Sequence, residues 1–293
     1  MNKYSGNKFV HQFFKMKITA TIVVYQPRMD WLLNSINSFI GKDNFSKKLF
    51  LIDNSPSPNE QLQQLTSEKI EYRFNNRNLG FGKAHNLGIK KAIAEGSDFH
   101  LILNPDVSFD SDILIELTTV LTNDKSIGLI SPKIVYENGE IQRLCKLLPN
   151  PKHLIFRRFL KNSPSLEKLN QELELQTFGY DRVAEIPWLS GCFLLARTSH
   201  LEKIGGFDER FFMYMEDIDL SRQSLRYFKN IFYPHVTIRH FYEKGSYKSR
   251  KLTLIHLTSA IQYFTKWGWV FDRERKIINK ETLERLGFFT QTK

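Results

Sequence analysis

The chain has 293 residues, of which 41% are hydrophobic and 25% are charged, so it can form one large globular domain or two small ones. No apolar run approaches the roughly 18 residues that span a bilayer, and the polar, basic first 16 residues do not have the apolar segment of a signal peptide. The two cysteines, Cys145 and Cys192, show neither metal-ligand spacing nor a disulfide framework, so we expect a protein that stays in a reducing cytoplasm.

Strand and helix patterns alternate along the first half of the chain. Apolar runs predict strands over 18–25, 48–52, 70–74 and 99–103, and helical spacing predicts helices over 29–39, 61–66, 83–94 and 111–121, the last capped by Ser111. This alternation favours right-handed crossovers and a parallel sheet. Further along, 150–180 suggests a polar surface insertion, 186–196 a strand, 217–227 a helix and 231–238 a strand.

Two turns in the first half of the chain carry polar groups suited to a nucleotide. Asp53 follows the second strand, where its carboxylate can accept the imide N–H of uracil or thymine, although an ordinary Asx turn is the alternative. Gly80 and Gly82 precede a helix whose N–H groups can face phosphate. The loop lacks the full dinucleotide fingerprint, because Lys83 and His85 follow where another glycine is expected, so a nicotinamide cofactor is disfavoured.

Two acidic motifs suggest catalysis. Asn104 and Pro105 end the fourth strand and place Asp106 at the sheet edge where open α/β sheets bind ligands; a divalent cation suits this carboxylate, and a simple turn is the alternative. Glu216, Asp217 and Asp219 follow a run of aromatics and methionines. Such a cluster suits proton transfer or metal binding, whereas an acidic first helical turn is the plainer interpretation.

The C-terminal fifty residues carry much of the net charge. From Lys244 to Lys293 there are 11 Lys and Arg against 4 Asp and Glu, a net +7 of the total +11, interleaved with eight aromatic residues. This pattern suits an anionic membrane surface. A helical subdomain with packed aromatics and a solvated basic face is the main alternative, and nucleic acid is the least favoured partner.

Five segments occur in the order typical of one enzyme family. They are Thr21-Ile22-Val23-Val24-Tyr25, Ile52-Asp53-Asn54-Ser55, Asn78-Leu79-Gly80-Phe81-Gly82, Asn104-Pro105-Asp106, and Gly205-Gly206-Phe207-Asp208-Glu209 with Glu216-Asp217-Ile218-Asp219. Together they resemble family 2 of the inverting glycosyltransferases, and most closely its bacterial rhamnosyltransferase-like branch, over residues 17–247.

The resemblance implies an α/β fold of the GT-A type, with a Rossmann-like, mostly parallel central sheet flanked by helices. It implies an N-terminal tail over 1–16, a catalytic domain over 17–247 and a helical, basic and aromatic C-terminal extension over 248–293. Within the catalytic domain, 17–110 would form the nucleotide-sugar half and 111–247 the acceptor half.

The resemblance also implies roles for residues of the donor site. Asp53 would hold the nucleobase near Tyr25, and Asn104 and Asp106 would contact the donor, as would Asn78, Gly80 and Gly82 of the glycine loop. Asp106 would bind Mg²⁺ or Mn²⁺ on the diphosphate, with His240 completing the metal site; a surface histidine is the alternative. Asn104 stands where relatives carry a second carboxylate, which leaves one carboxylate for the metal.

On the acceptor side the resemblance implies Asp217 as the general base. Glu216 would contact the acceptor or compete as the base, and Asp219 would compete or cap the helix. Trp188, Ser190 and Gly191 would line the acceptor, with a buried structural Trp188 as the alternative.

The expected reaction is transfer of rhamnose from dTDP-rhamnose to a glycan or lipid-linked acceptor for O-antigen or capsule, at the inner face of the cytoplasmic membrane. Galactofuranosyl or hexosyl transfer from a UDP-sugar, and a non-catalytic nucleotide-binding or membrane-surface module, stay as alternatives. A nucleotidyltransferase is disfavoured because Tyr25-Gln26-Pro27 offers no basic, glycine-rich triphosphate loop.

Overall fold

The computed structural model of the chain describes residues 16–41, 45–153, 164–241 and 250–288. Its centre is a nine-stranded sheet in the order β3-β2-β1-β4-β8-β6-β9-β5, with β7 also paired to β9. The strands are β1 Lys17–Val24, β2 Ser46–Asp53, β3 Ile70–Phe74, β4 Phe99–Leu103, β5 Val107–Ser108, β6 Ile127–Val135, β7 Ala184–Glu185, β8 Phe193–Arg197 and β9 Lys229–His240. The predicted α/β class with a mostly parallel central sheet is confirmed.

The helices pack on both faces of this sheet. They are α1 Met29–Ile40, α2 Glu60–Gln63, α3 Phe81–Ala94, α4 Asp112–Asn123, α5 Pro164–Leu173, α6 Thr198–Ile204, α7 Glu216–Ser224, α8 Arg250–Trp267 and α9 Arg273–Leu286. Because side chains alternate along a strand, Leu101 and Leu103 join the core under α1 and α4, whereas Ile102 faces the opposite layer. Burial of both faces explains why the central strands read as continuous apolar runs.

Strand direction brings distant segments to one edge of the sheet. β1, β2, β3 and β4 are parallel, so their carboxyl ends share that edge. β8 runs antiparallel to β4, with Phe193 opposite Leu103, so the chain enters β8 at the same edge. β6 is antiparallel to β8 and parallel to β9, which returns the end of β9 to this edge.

Some predicted elements differ from those observed. Of the strand predicted over 186–196, only 193–196 is strand and belongs to β8; β7 ends at Glu185, and the residues between, which include Pro187, form a loop. Ser111 is not an N-cap: its backbone is already helical, with φ -59° and ψ -28°, and its side chain makes no capping hydrogen bond. β6 and α6 were not predicted. Within the described residues, no helix is both long and apolar enough to cross a membrane.

Candidate active site

A single backbone turn links the two acidic motifs. The N–H of Asn104 donates to the carbonyl of Cys192 at 2.9 Å, which fixes the end of β4 against the entry to β8. On the other side of this turn, the N–H of Gly191 donates to Oδ2 of Asp217 at 3.2 Å. A Cβ on Gly191 would lie 3.2 Å from Cβ of Asp217, so the glycine permits this close approach. Asn104, two residues before the metal-site candidate Asp106, and the base candidate Asp217 therefore contact neighbouring residues of the same turn.

Asp106 and His240 come together although 134 positions separate them. β5 pairs antiparallel with β9, with Val107 opposite His240, and the N–H of Phe241 donates to the carbonyl of Asp106 at 2.8 Å. This register leaves Nε2 of His240 3.4 Å from Oδ1 of Asp106. His240 is buried, so the alternative of a surface histidine is wrong.

Gln142 sets the orientation of the His240 ring. Its Nε2 donates to the carbonyl of His240 at 2.8 Å, which directs Oε1 towards Nδ1 of the same histidine at 2.9 Å. Because Oε1 can only accept, Nδ1 carries a proton, and Nε2 is the ring nitrogen that lies beside Asp106. The sequence alone did not identify Gln142 as part of this site.

The Asp106–His240 pair fits a divalent cation that is shared with a ligand. Oδ1 of Asp106 is buried and, within the described residues, accepts no hydrogen bond. A carboxylate oxygen beside an imidazole lone pair is a suitable donor pair for Mn²⁺ or Mg²⁺. No group of three or more His, Cys, Asp or Glu that could hold a metal occurs in the described part of the chain, so the other ligands would come from diphosphate and water.

Asp53 is more enclosed than a nucleobase-binding carboxylate would suggest. It is fully buried; its Oδ1 accepts the N–H of Ser55 and its Oδ2 accepts the hydroxyl of Tyr72, both at 2.8 Å. The Asx-turn alternative is therefore present in the structure. Burial and the Asp53 carboxylate raise the pKa of Tyr72 to about 12, which keeps its hydroxyl a donor. Tyr25, at the end of β1, is 52% exposed beside this turn.

The glycines of the Asn78–Gly82 loop pack against another segment of the chain, around Phe207 and Phe212. Gly80 has φ +82°, and a Cβ there would lie 2.2 Å from the carbonyl oxygen of Phe212. The N–H of Gly80 donates to Oδ1 of Asn78, and the N–H of Phe81 donates to Phe212, both at 2.8 Å. At Gly82 the corresponding neighbour is Phe207. Both glycines thus admit the segment that leads to the acidic cluster, and their contact with a donor stays a prediction.

The acidic cluster opens α7 from an unusual backbone. Tyr214 and Met215 have φ of 70° and 62°. Residues other than glycine rarely adopt such backbone angles, and those that do are often found at functional sites. Burial, then the neighbouring Asp217 carboxylate, raises the pKa of Glu216 well above its usual value. Burial also raises the pKa of Asp217, whose Oδ1 accepts the N–H of Ile218 at 2.8 Å. Asp217 as a whole residue is only partly buried, whereas Glu216 is buried.

Asp219 has a structural role in place of the two predicted for it. Its carboxylate is fully buried and accepts hydrogen bonds from Nζ of Lys266 at 2.9 Å and from Nε1 of Trp267 at 2.6 Å. Burial raises the pKa of Asp219, but both of its carboxylate oxygens already accept hydrogen bonds and no part of the residue is exposed, so an acceptor hydroxyl cannot reach it. The competition for the base therefore favours Asp217.

The loop before β8 packs beside Asp217. Trp188 is half-buried, and Nζ of Lys146 lies 4.8 Å from its ring centroid. Oγ of Ser190 accepts the N–H of Cys192 at 3.4 Å. Trp188 also packs against the cluster that contains Phe211 and Met215, so part of the ring is structural, and its contact with an acceptor sugar stays a prediction.

The architecture is that of the GT-A class of nucleotide-sugar enzymes. Among solved structures, the chain is similar to GalNAc-T7 crystallised with UDP, GalNAc and Mn²⁺, with a TM-score of 0.60 and 14% identity, covering 93% of this chain and 54% of that one. Residues 20–171 match the sequence model of the family described as "Glycosyl transferase family 2". The chain belongs to this family, and the predictions of a family 2 glycosyltransferase and a GT-A fold are confirmed.

Two curated relatives carry more specific names. The chain is 30% identical over 156 residues to an N-acetylglucosaminyl-diphospho-decaprenol L-rhamnosyltransferase of Mycobacterium tuberculosis, covering 49% of each chain. It is 25% identical over 224 residues to the low-salt glycan biosynthesis hexosyltransferase Agl10 of Haloferax volcanii, covering 76% of this chain and 66% of the relative. The chain thus spans about half of the first relative and about two thirds of the second.

Proposed function

We propose that the chain is an inverting glycosyltransferase that moves rhamnose from dTDP-rhamnose to a hydroxyl of a lipid-linked glycan. The observation that carries this proposal is the Gly191–Cys192 turn, which is hydrogen-bonded to Asn104 on one side and to Asp217 on the other. In this proposal, the turn holds Asn104, on the side of the donor diphosphate, and Asp217, the general base, on opposite sides of one reaction centre. The M. tuberculosis relative supports rhamnose and a diphospho-lipid acceptor, and O-antigen or capsule assembly is the process that we propose.

The reaction is a single displacement. The acceptor oxygen attacks the anomeric carbon, the bond from that carbon to the diphosphate oxygen breaks, and Asp217 accepts the acceptor's proton. A raised pKa makes the carboxylate of Asp217 a stronger base than an exposed aspartate. Asp106 and His240 would hold Mg²⁺ or Mn²⁺, which when bound neutralises charge on the leaving diphosphate.

The test is nucleotide release from dTDP-, UDP- and GDP-sugars with lipid-linked acceptor, comparing the native chain with Asp217→Asn. We expect release of dTDP from dTDP-rhamnose, reduced at least about 100-fold in the variant because general-base catalysis is lost, with donor binding retained. Asp110→Asn, an exposed aspartate four residues beyond Asp106, is the matched control and should keep its activity.

Other outcomes identify other functions. Release from a UDP-sugar would favour hexosyl or galactofuranosyl transfer, a candidate supported by the long alignment with the hexosyltransferase Agl10. Donor binding without release in any combination would leave two interpretations, a non-catalytic nucleotide-binding module or an acceptor missing from the panel. Equal release by the native chain and Asp217→Asn would exclude Asp217 as the base.

A further inference from the structure

Exposed apolar side chains are concentrated near the C-terminal end of the described chain. Of the fourteen large apolar side chains exposed among the described residues, seven lie between residues 254 and 277. Leu254, Leu257 and Ile261 are spaced by three and four positions and form one stripe on α8. Val270 and Phe271, in the loop to α9, are 68% and 97% exposed. We call these five residues, together with Ile277, the C-terminal apolar surface.

Positive charge accompanies this surface. α8 begins with Arg250 and Lys251 and contains no acidic residue, whereas Lys266 near its end is paired with Asp208 and Asp219 and adds no free charge to the surface. At the start of α9, Arg273, Lys276 and Lys280 recur at helical spacing beside the exposed Ile277. The acidic Glu274 is directed away from them, because its Oε2 accepts a hydrogen bond from Arg222 at 2.8 Å. Glu284 forms an ion pair with Lys280 at 3.7 Å, but this lysine stays 71% exposed, and such an exposed pair contributes little.

We propose that the C-terminal apolar surface binds an anionic lipid bilayer, with the apolar side chains entering the headgroup region and Arg273, Lys276 and Lys280 contacting lipid phosphates. Apolar side chains flanked by cations are what an interfacial segment needs, since one part gains from dehydration and the other from the negative surface potential. The proposal goes beyond the proposed function and rests on it only for the lipid-linked nature of the acceptor.

A second copy of the chain fits this surface less well. In a symmetric dimer the same patch faces itself, so the three cations of α9 would face like charges, which is unfavourable. A bilayer containing anionic lipid offers opposite charge across the whole patch. Charge complementarity therefore favours lipid.

The surface is also connected to the candidate active site. His256 of α8 contacts Tyr214 with 5.0 Å between ring centroids, and Oγ of Ser259 donates to the carbonyl of Met213 at 2.8 Å. Both contacts hold the backbone that leads into Asp217. The same helix thus carries part of the C-terminal apolar surface and contacts the segment that precedes Asp217.

The experiment is sedimentation of the full chain with phosphatidylcholine vesicles, with and without phosphatidylglycerol. We expect binding only with the anionic lipid, reduced at least about tenfold by Val270→Ser with Phe271→Ser. Arg273→Gln, Lys276→Gln and Lys280→Gln should each reduce it about fivefold. As controls, Leu33→Ser and Ile115→Ser each replace an exposed apolar side chain outside this surface, on α1 and α4. Both variants should bind vesicles as the native chain does.

Point variants are needed because deleting residues 252–293 would uncover the core, in which Tyr263 and Phe264 are buried. With an acceptor dispersed in detergent, nucleotide release by the double variant Val270→Ser, Phe271→Ser should equal that of the native chain. This comparison separates loss of lipid binding from loss of catalysis. No vesicle binding, or binding unaffected by these substitutions, would overturn the proposal. Self-association that Phe271→Ser abolishes, without vesicle binding, would assign the surface to a second copy instead.

Discussion

Gln142 is the side chain on which the geometry of the proposed metal site depends. Its amide orients His240 through two hydrogen bonds, to the carbonyl and to Nδ1. We expect Gln142→Leu to lower Mn²⁺ affinity about 10- to 100-fold, the usual effect of losing a partner of a metal-binding histidine. Titration calorimetry of Mn²⁺ into protein with nucleoside diphosphate measures this. Gln63→Leu, on the exposed side of α2, should leave affinity unchanged; equal affinity in both variants would show that His240 is not a ligand.

Glu216 makes stability depend on pH. Because burial raises its pKa well above the usual 4.5, the folded chain keeps a proton that the unfolded chain releases. Stability from this carboxyl is thus present below about pH 4.5 and lost as pH rises through its folded-state pKa. Glu216→Gln carries no such proton. We expect the free energy of unfolding of this variant, relative to the native chain, to increase from pH 5 to pH 8.

Denaturant titrations at the two pH values test this expectation. The difference should grow by up to about 1.4 kcal/mol for each pH unit between the two pKa values. Glu202→Gln, an exposed glutamate on α6, provides the comparison. A constant difference across the pH range would mean that Glu216 ionises in the folded chain as it does in the unfolded one.

At the scale of elements, the apolar pattern of the sequence correctly located several strands of the sheet. β3 and β4 have the predicted bounds, 70–74 and 99–103, and α3 ends at the predicted Ala94. β6 was missed because Gly128, Ser131 and Pro132 interrupt its apolar pattern, and its pairing with β8 and β9 supplies what local propensity does not. The loop over 186–192 looks like a strand in sequence but connects β7 to β8 next to Asp217.

At the scale of the whole molecule, buried ion pairs join α8 and α9 to the α/β core. Arg222 of α7 donates to both carboxylate oxygens of Asp272 at 2.7 Å, and both side chains are almost fully buried. Asp219 of α7 pairs with Lys266 of α8. The two helices therefore contribute to the stability of the acidic cluster, and we expect one cooperative unfolding transition.

Replacing Arg222 tests this coupling. Arg222→Ala should lower the free energy of unfolding by about 3 kcal/mol, because the buried Asp272 would lose its bidentate partner and keep only the longer contact with Arg275. Arg222→Met with Asp272→Leu should recover only part of that loss, because Asp272 also caps α9 and pairs with the buried Arg275. Arg226→Ala, at an exposed position one turn on, should cost under about 1 kcal/mol. Two separate transitions, or a loss equal to that of Arg226→Ala, would show that the helices are only loosely attached.

The sequence by itself determined the family, the order of the early strands and helices, and the carboxylates at the sheet edge, because these follow from local apolar patterns and from motifs of a few residues. Only the tertiary structure decided which of these groups meet. The pairing of Asp106 with His240 depends on the β5–β9 register, and the structural role of Asp219 depends on Lys266, 47 residues later. Contacts between distant segments are set by strand direction and packing, which local sequence does not encode.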